Sequence, residues 1–247
     1  MALHTSKACC ELPPVQAKEY KTQGHYKDFA GTKCYITGPS DANKALFFVY
    51  DICGYTPQTL QGADILATTG KYLVVMPDFF HGKPAQASWF GDNASEEEQA
   101  KRDAFVGKLS FKDKADQLFP ILEHVKATYS TVHAWGVIGY CWGGKLAVLT
   151  SKEKTPWKVG LQTSPAGLDP NDAPELTIPF ATLGSKDEAA ETVSAFGEAQ
   201  RTPKLVKHFN DQVHGWMSAR GDLENPEVLK QYEKGYQLAL EFFAQHL

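Results

Sequence analysis

The chain has 247 residues, 43% of them hydrophobic and 22% charged, with a formal net charge of −4. That balance is ordinary for a globular protein and excludes a disordered, collagen-like or disulfide-scaffold chain. The arginines are Arg102, Arg201 and Arg220; no basic stripe is visible, so no nucleic-acid partner is expected.

The cysteines are Cys9, Cys10, Cys34, Cys53 and Cys141. Their number is odd and no spacing resembles a zinc site or a redox CxxC, so neither a metal nor another cofactor is expected. The longest apolar run, Ala45 to Tyr50, is far too short to span a membrane. No Arg-rich or apolar leader opens the chain. The expectation is a cytoplasmic protein with reduced thiols and no membrane partner, with the adjacent Cys9 and Cys10 as candidate lipidation sites.

In chain order, Lys33–Gly38 and Lys44–Ile52 read as strands. The second is an almost continuous apolar run, as in a strand buried on both faces. A helix is expected over Thr56–Thr69, with Thr56 as N-cap and Pro57 at its first position. Tyr72–Asp78 reads as a strand, and the polar Asn93–Gly107 as a helix outside the main layer. Phe111–Tyr129 repeats apolar residues at helical spacing (Ala115, Leu118, Ile121, Leu122, Val125), with Pro120 expected to kink or break it. Strands over Ala134–Tyr140, Lys158–Thr163, Pro179–Leu183 and Leu205–Phe209 alternate with helices over Gly143–Thr150, Ala189–Gln200 and Pro226–Phe243. The alternation predicts one α/β domain over 1–247, a mostly parallel sheet with helices on both faces. Ligands on such sheets sit past the carboxyl ends of the strands.

The strand Ala134–Tyr140 runs straight into Gly139-Tyr140-Cys141-Trp142-Gly143. This is the G-x-S-x-G nucleophile elbow of α/β-hydrolases with sulfur in place of oxygen. A sharp strand-to-helix turn strains the central residue and leaves no room for side chains at the flanking glycines. Cys141 then sits at a helix N-terminus, where the dipole favours thiolate, and the Trp142 amide points toward a developing oxyanion. The alternative for Cys141 is a packed core cysteine. The triad partners in such enzymes follow in the order acid, then base. Asp187 lies just past the strand ending in Gly184, and His214 lies on the loop after LVKHF. Alone, Asp187 is an equally good helix cap and His214 a surface loop histidine; together they complete the order. Asp51 ends the apolar run ALFFVY, either as a turn cap or as a site acid. The loop after it carries the second oxyanion donor, the amide of Ile52 or Cys53.

With these stretches in view, FFVYDICGYTP, VVMPDFFHGKP, GVIGYCWGGK, GSKDE and VHGWMSARG, the chain resembles the dienelactone hydrolase family in its eukaryotic, fungal-type branch, over roughly residues 20 to 247. GYCWGGK is the most specific, since few α/β-hydrolases carry Cys at the elbow. The resemblance implies an α/β-hydrolase fold and a triad of Cys141, His214 and Asp187. It also implies that Asp51 stands where bacterial members have Glu, holding the resting thiol and taking its proton. Bacterial members bind the substrate carboxylate with two arginines. One maps onto Arg220; the other falls in Phe79-Phe80-His81-Gly82-Lys83, where no arginine stands and His81 or Lys83 is either a substitute or a solvated loop residue.

The expected function is hydrolysis of small lactones or esters through Cys141, with the oxyanion held by the Ile52 and Trp142 amides. Phe79, Phe80, Trp89, Phe90, Trp142 and Trp216 are candidate walls of an apolar pocket, with core or cap packing expected for at least half of them; Phe80 and Trp216 are the candidates to touch substrate. The alternatives are a general carboxylesterase or thioesterase, and a non-catalytic redox sensor oxidised at Cys141. The expected partner is the substrate, and the expected state is a monomer or homodimer.

Overall fold

The computed structural model describes residues 20–91 and 93–247; Cys9 and Cys10 lie outside the described residues. Eight strands form one sheet: β1 (His25–Phe29), β2 (Thr32–Thr37), β3 (Lys44–Val49), β4 (Leu73–Pro77), β5 (Ala134–Tyr140), β6 (Val159–Thr163), β7 (Phe180–Ser185) and β8 (Lys204–Phe209). Their spatial order is β1-β2-β4-β3-β5-β6-β7-β8. β1 and β2 run antiparallel, and β3 to β8 are parallel.

Six α-helices connect and cover the strands among the described residues: α1 (Pro57–Gly70), α2 (Glu96–Gly107), α3 (Phe111–Thr128), α4 (Trp142–Leu149), α5 (Ala190–Ala199) and α6 (Pro226–His246). α1 packs on α6, and α3 on α4. The central strands are hidden on both sides: Ala45 to Val49 of β3 and Val137 and Ile138 of β5 have no exposed surface. Burial on both faces explains why these strands are apolar without alternation.

The chain passes from β3 outward to β4, then back across β3 to β5. The crossovers therefore leave in opposite directions between β3 and β5, and a crevice opens there at the strands' carboxyl ends. The loop after β3 carries Asp51 and Ile52; the turn after β5 carries Cys141.

Three local differences from the expectations have physical reasons. β1 was not foreseen because four of its five residues are exposed, so it lacks an apolar face. It forms through a two-residue turn at Ala30 and Gly31, both at positive φ (51° and 74°), the twist that tight hairpins need. α3 continues through Pro120 without breaking. The carbonyl that loses its amide partner is that of Asp116, and both residues lie on the exposed face, where water serves that carbonyl. α2 begins at a Ser95–Glu98 capping box and buries none of its residues.

Candidate active site

The elbow is built as its glycines require. Cys141 has φ 53° and ψ −116°, a strained conformation costing on the order of 1–3 kcal/mol. Three backbone hydrogen bonds hold it: its amide donates to Thr163 O (3.0 Å), and its carbonyl accepts from Gly144 N and Ala166 N (both 3.0 Å). A Cβ on Gly139 would lie 2.1 Å from Gly143 O, and one on Gly143 would lie 2.2 Å from Val49 O. The second contact presses the elbow onto the end of β3, which brings the Asp51-Ile52 loop beside the start of α4.

His214 and Cys141 have no exposed surface. Cys141 acts on the His214 ring both by charge and by a side-chain hydrogen bond, and since Nδ1 is taken by Glu188, Nε2 is the nitrogen left for the sulfur. Burial alone would depress the imidazole pKa, but the thiolate of Cys141 and the carboxylate of Glu188 outweigh it and raise it to about 10. The other free cysteines among the described residues are Cys34 and Cys53. Burial, with Asp28 and Asp78, pushes Cys34 up to about 12. Burial and the nearby Asp51 push Cys53 well up against the opposing charge of Arg220. Both therefore remain neutral thiols.

The acid on the imidazole differs from the expectation. His214 Nδ1–H donates to Glu188 Oε1 at 2.6 Å, and Ser185 N–H donates to Glu188 Oε2, also at 2.6 Å. Asp187 instead receives the backbone N–H of His214 on Oδ2 at 2.6 Å. Asp187 is thus corrected from ring partner to backbone partner. It is half-exposed while Glu188 is buried, and only the longer side chain reaches inward to the ring.

Asp51 is also corrected. Its carboxylate is fully buried and already occupied: Oδ1 accepts from Cys53 N–H (2.8 Å), and Oδ2 from the Ser218 hydroxyl (2.6 Å) and Ala219 N–H (3.2 Å). It joins the loop after β3 to the loop carrying His214, where the resemblance implied a partner for the thiol. Ser218 was missed because a serine inside VHGWMSARG carries no signal of its own.

Trp142, Phe79 and Phe80 pack together beside Cys141: the Phe79 and Phe80 ring centroids lie 5.8 and 5.2 Å from that of Trp142. Phe105 of α2 covers Phe80 at 5.2 Å and reaches Trp89 at 5.8 Å. Arg220 is 2% exposed, with its guanidinium 5.8 Å over the Phe90 ring. A Cβ on Gly215 would lie 3.3 Å from Nη1 of Arg220, so this cation sits against the His214 loop. Trp216 is corrected: its ring lies tilted against Phe209 at 4.5 Å and fills the space left by Gly235, buried inside the core. His81 and Lys83 are corrected too. Both are exposed on a turn that Asp78 fixes by accepting from Tyr50 OH (2.8 Å), Phe80 N–H (3.3 Å) and Gly82 N–H (2.7 Å). Among the described residues no group of three or more His, Cys, Asp or Glu could hold a metal, and no helix is long and apolar enough to cross a membrane.

A parallel sheet with a strained elbow at its switch point and a histidine from the last strand's loop beside it defines an α/β-hydrolase. Within that class, residues 32–247 match the model of the dienelactone hydrolase family, and the chain belongs to it. An uncharacterised AIM2 family protein of Schizosaccharomyces pombe is 34% identical, covering 96% of this chain and 98% of its own. A carboxymethylenebutenolidase homolog of Xenopus tropicalis is 27% identical over 98% of this chain and 99% of its own. The fold is shared with a dienelactone hydrolase of Anabaena variabilis, with TM-score 0.62 and 16% identity over 92% of this chain and 98% of that one.

Proposed function

We propose that the protein hydrolyses small lactones or esters, with Cys141 as nucleophile and His214 as general acid and base. The observation that carries this reading is the buried imidazole set between the elbow sulfur and a carboxylate. The Cys141 thiolate attacks the substrate carbonyl, forming a C–S bond and a tetrahedral oxyanion. Collapse breaks the C–O bond, and the imidazolium Nε2–H protonates the departing alkoxide. Neutral His214 then takes a proton from water as its oxygen attacks the thioester. The second collapse releases the carboxylic acid and restores the ion pair.

The Ile52 and Trp142 amides are the proposed oxyanion donors. Among the described residues neither donates to a backbone oxygen, whereas the Cys53 amide is held by Asp51. Trp142 is the first residue of α4, where the amides have no helical acceptor. Arg220 is the proposed clamp for a substrate carboxylate, and Phe80 flanks the acyl group. The vertebrate relatives' name, carboxymethylenebutenolidase homolog, points to the same chemistry, since a butenolide is a lactone.

The test is a screen of purified protein against anionic lactones and neutral esters, with mass spectrometry of quenched turnovers. Wild type should accumulate an adduct on Cys141. Cys141→Ala should lose several powers of ten in rate with its circular dichroism unchanged. A Cys141→Ala protein that still turns over while Cys53→Ala is dead would refute the assignment.

A further inference from the structure

The base of this site is served by two consecutive carboxylates that meet it from different sides. We infer that Glu188 is the residue that orients and charges the His214 ring, and that Asp187 positions the loop on which the ring is carried. The inference rests on the Cys141–His214 reading and assigns the task of the triad acid to Glu188, against the motif position.

Both ends of the Glu188 carboxylate are engaged. Oε1 takes the ring Nδ1–H at 2.6 Å, and Oε2 takes the Ser185 amide at 2.6 Å. The second bond ties the side chain to the end of β7, so the oxygen meeting the ring is fixed by the sheet. His208 on β8 adds a further tie, its Nε2 lying 3.1 Å from the Glu188 carbonyl. A carboxylate at Nδ1 selects the tautomer that leaves Nε2 facing the sulfur, and it stabilises the imidazolium when Nε2 is protonated.

Asp187 does neither. Its Oδ2 takes the His214 backbone amide at 2.6 Å, while Ser185 Oγ accepts its own amide at 3.3 Å. This pins the chain at residue 214 and leaves the ring's proton untouched. The groups that act most strongly on the ring are Cys141 and Glu188. The remaining charges nearby are Asp187 at the backbone, Arg220 against Gly215 and Asp51 behind Ser218.

The two tasks separate in the pH dependence of Cys141 alkylation by iodoacetamide, which needs no substrate. Losing the carboxylate at Nδ1 disfavours the imidazolium. Its deprotonation then moves down from about 10, and the neutral thiol–imidazole pair gains on the imidazolium–thiolate pair, so less thiolate is present at neutral pH. In Glu188→Gln the alkylation rate at neutral pH should fall about tenfold or more, the equivalent of the one-unit shift a close opposite charge produces. If a turnover substrate is in hand, kcat should fall roughly 100-fold or more with KM little changed. In Asp187→Asn the profile should stay with wild type and the melting temperature should fall. A displaced profile in Asp187→Asn, or an unmoved one in Glu188→Gln, overturns the inference. If Glu188→Gln does not fold, Asp187→Asn decides alone: a wild-type profile supports the assignment and a shifted one refutes it. A protein that alkylates as described but hydrolyses no lactone or ester would instead count against the proposed function.

Discussion

Replacing Asp51 by Asn keeps the shape of the side chain and removes its ability to accept on both ends. The wild-type carboxylate receives Cys53 N–H on one oxygen, and the Ser218 hydroxyl and Ala219 N–H on the other. An amide has one oxygen. If it faces Ser218 and Ala219, the NH2 group meets the Cys53 N–H and that buried donor is stranded. If it is turned over, Ser218 can swing to Gly215 O, 3.3 Å away, but the Ala219 N–H is stranded instead. Either orientation leaves one buried donor unsatisfied, which costs about 1–3 kcal/mol, and it weakens bonds that the charge had made worth about 1.5–3 kcal/mol each. The sum is roughly 2–4 kcal/mol. At about 2–4 °C per kcal/mol for a chain of this size, Asp51→Asn should melt roughly 5–15 °C below wild type. Ser218→Ala removes one of these charge-assisted bonds and should lose about 1.5–3 kcal/mol. The double variant should melt close to Asp51→Asn alone, since Ser218 has by then lost its charged acceptor and can turn to Gly215 O. Thermal melts of the three variants, followed by near-ultraviolet circular dichroism, read this directly. A wild-type melting temperature in Asp51→Asn, with the pH profile of Cys141 alkylation displaced, would refute the loop-joining role and restore Asp51 as the thiol's proton acceptor.

Two further outcomes follow from the same geometry. Arg220→Ala should lower kcat/KM for an anionic lactone about tenfold or more, the loss of a charge-assisted contact, and leave a neutral ester of the same size almost unchanged; equal effects on both would remove Arg220 from substrate binding. Gly143→Ala places a methyl 2.2 Å from Val49 O, backbone that cannot yield, so soluble yield and melting temperature should fall by the equivalent of about 3 kcal/mol, whereas Gly107→Ala, whose methyl meets nothing, should melt within a degree or two of wild type.

The fold was largely legible because its signals are local and repeated. β3, β5 and α3 declare themselves by runs and periodicities that follow from which faces are buried. β1 was hidden because an exposed edge strand needs no apolar pattern, and Pro120 misled because its consequence depends on which face of α3 it occupies. Neither fact exists in a window of sequence. Cys141 was legible for a stronger reason: the elbow's sterics require glycine at both flanks, so the residues record the geometry. Phe80 was readable as an aromatic near the site, but Trp216 carried the same signal and belongs to the core, because an apolar ring is equally at home in either place.

The carboxylates show where linear reading stops. A motif position places a residue to within one step along the chain, and in the turn that follows β7 one step is enough to give a side chain a different partner. Asp187 and Glu188 both follow β7, both carry a carboxylate, and both end 2.6 Å from an N–H of His214. One N–H is on the backbone and the other on the ring, and the choice decides which residue shares the imidazolium's charge. Side-chain length resolves it: the half-exposed aspartate reaches the nearer backbone, and the extra methylene lets the buried glutamate pass inward to the ring. Asp51 obeys the same logic. Its strand end aims it at the site, but Ser218 and Ala219 arrive there from 167 and 168 residues away and occupy the oxygen that the family pattern would have offered to sulfur. Where two chemically equivalent groups compete for one partner, burial and reach decide, and these belong to the tertiary structure.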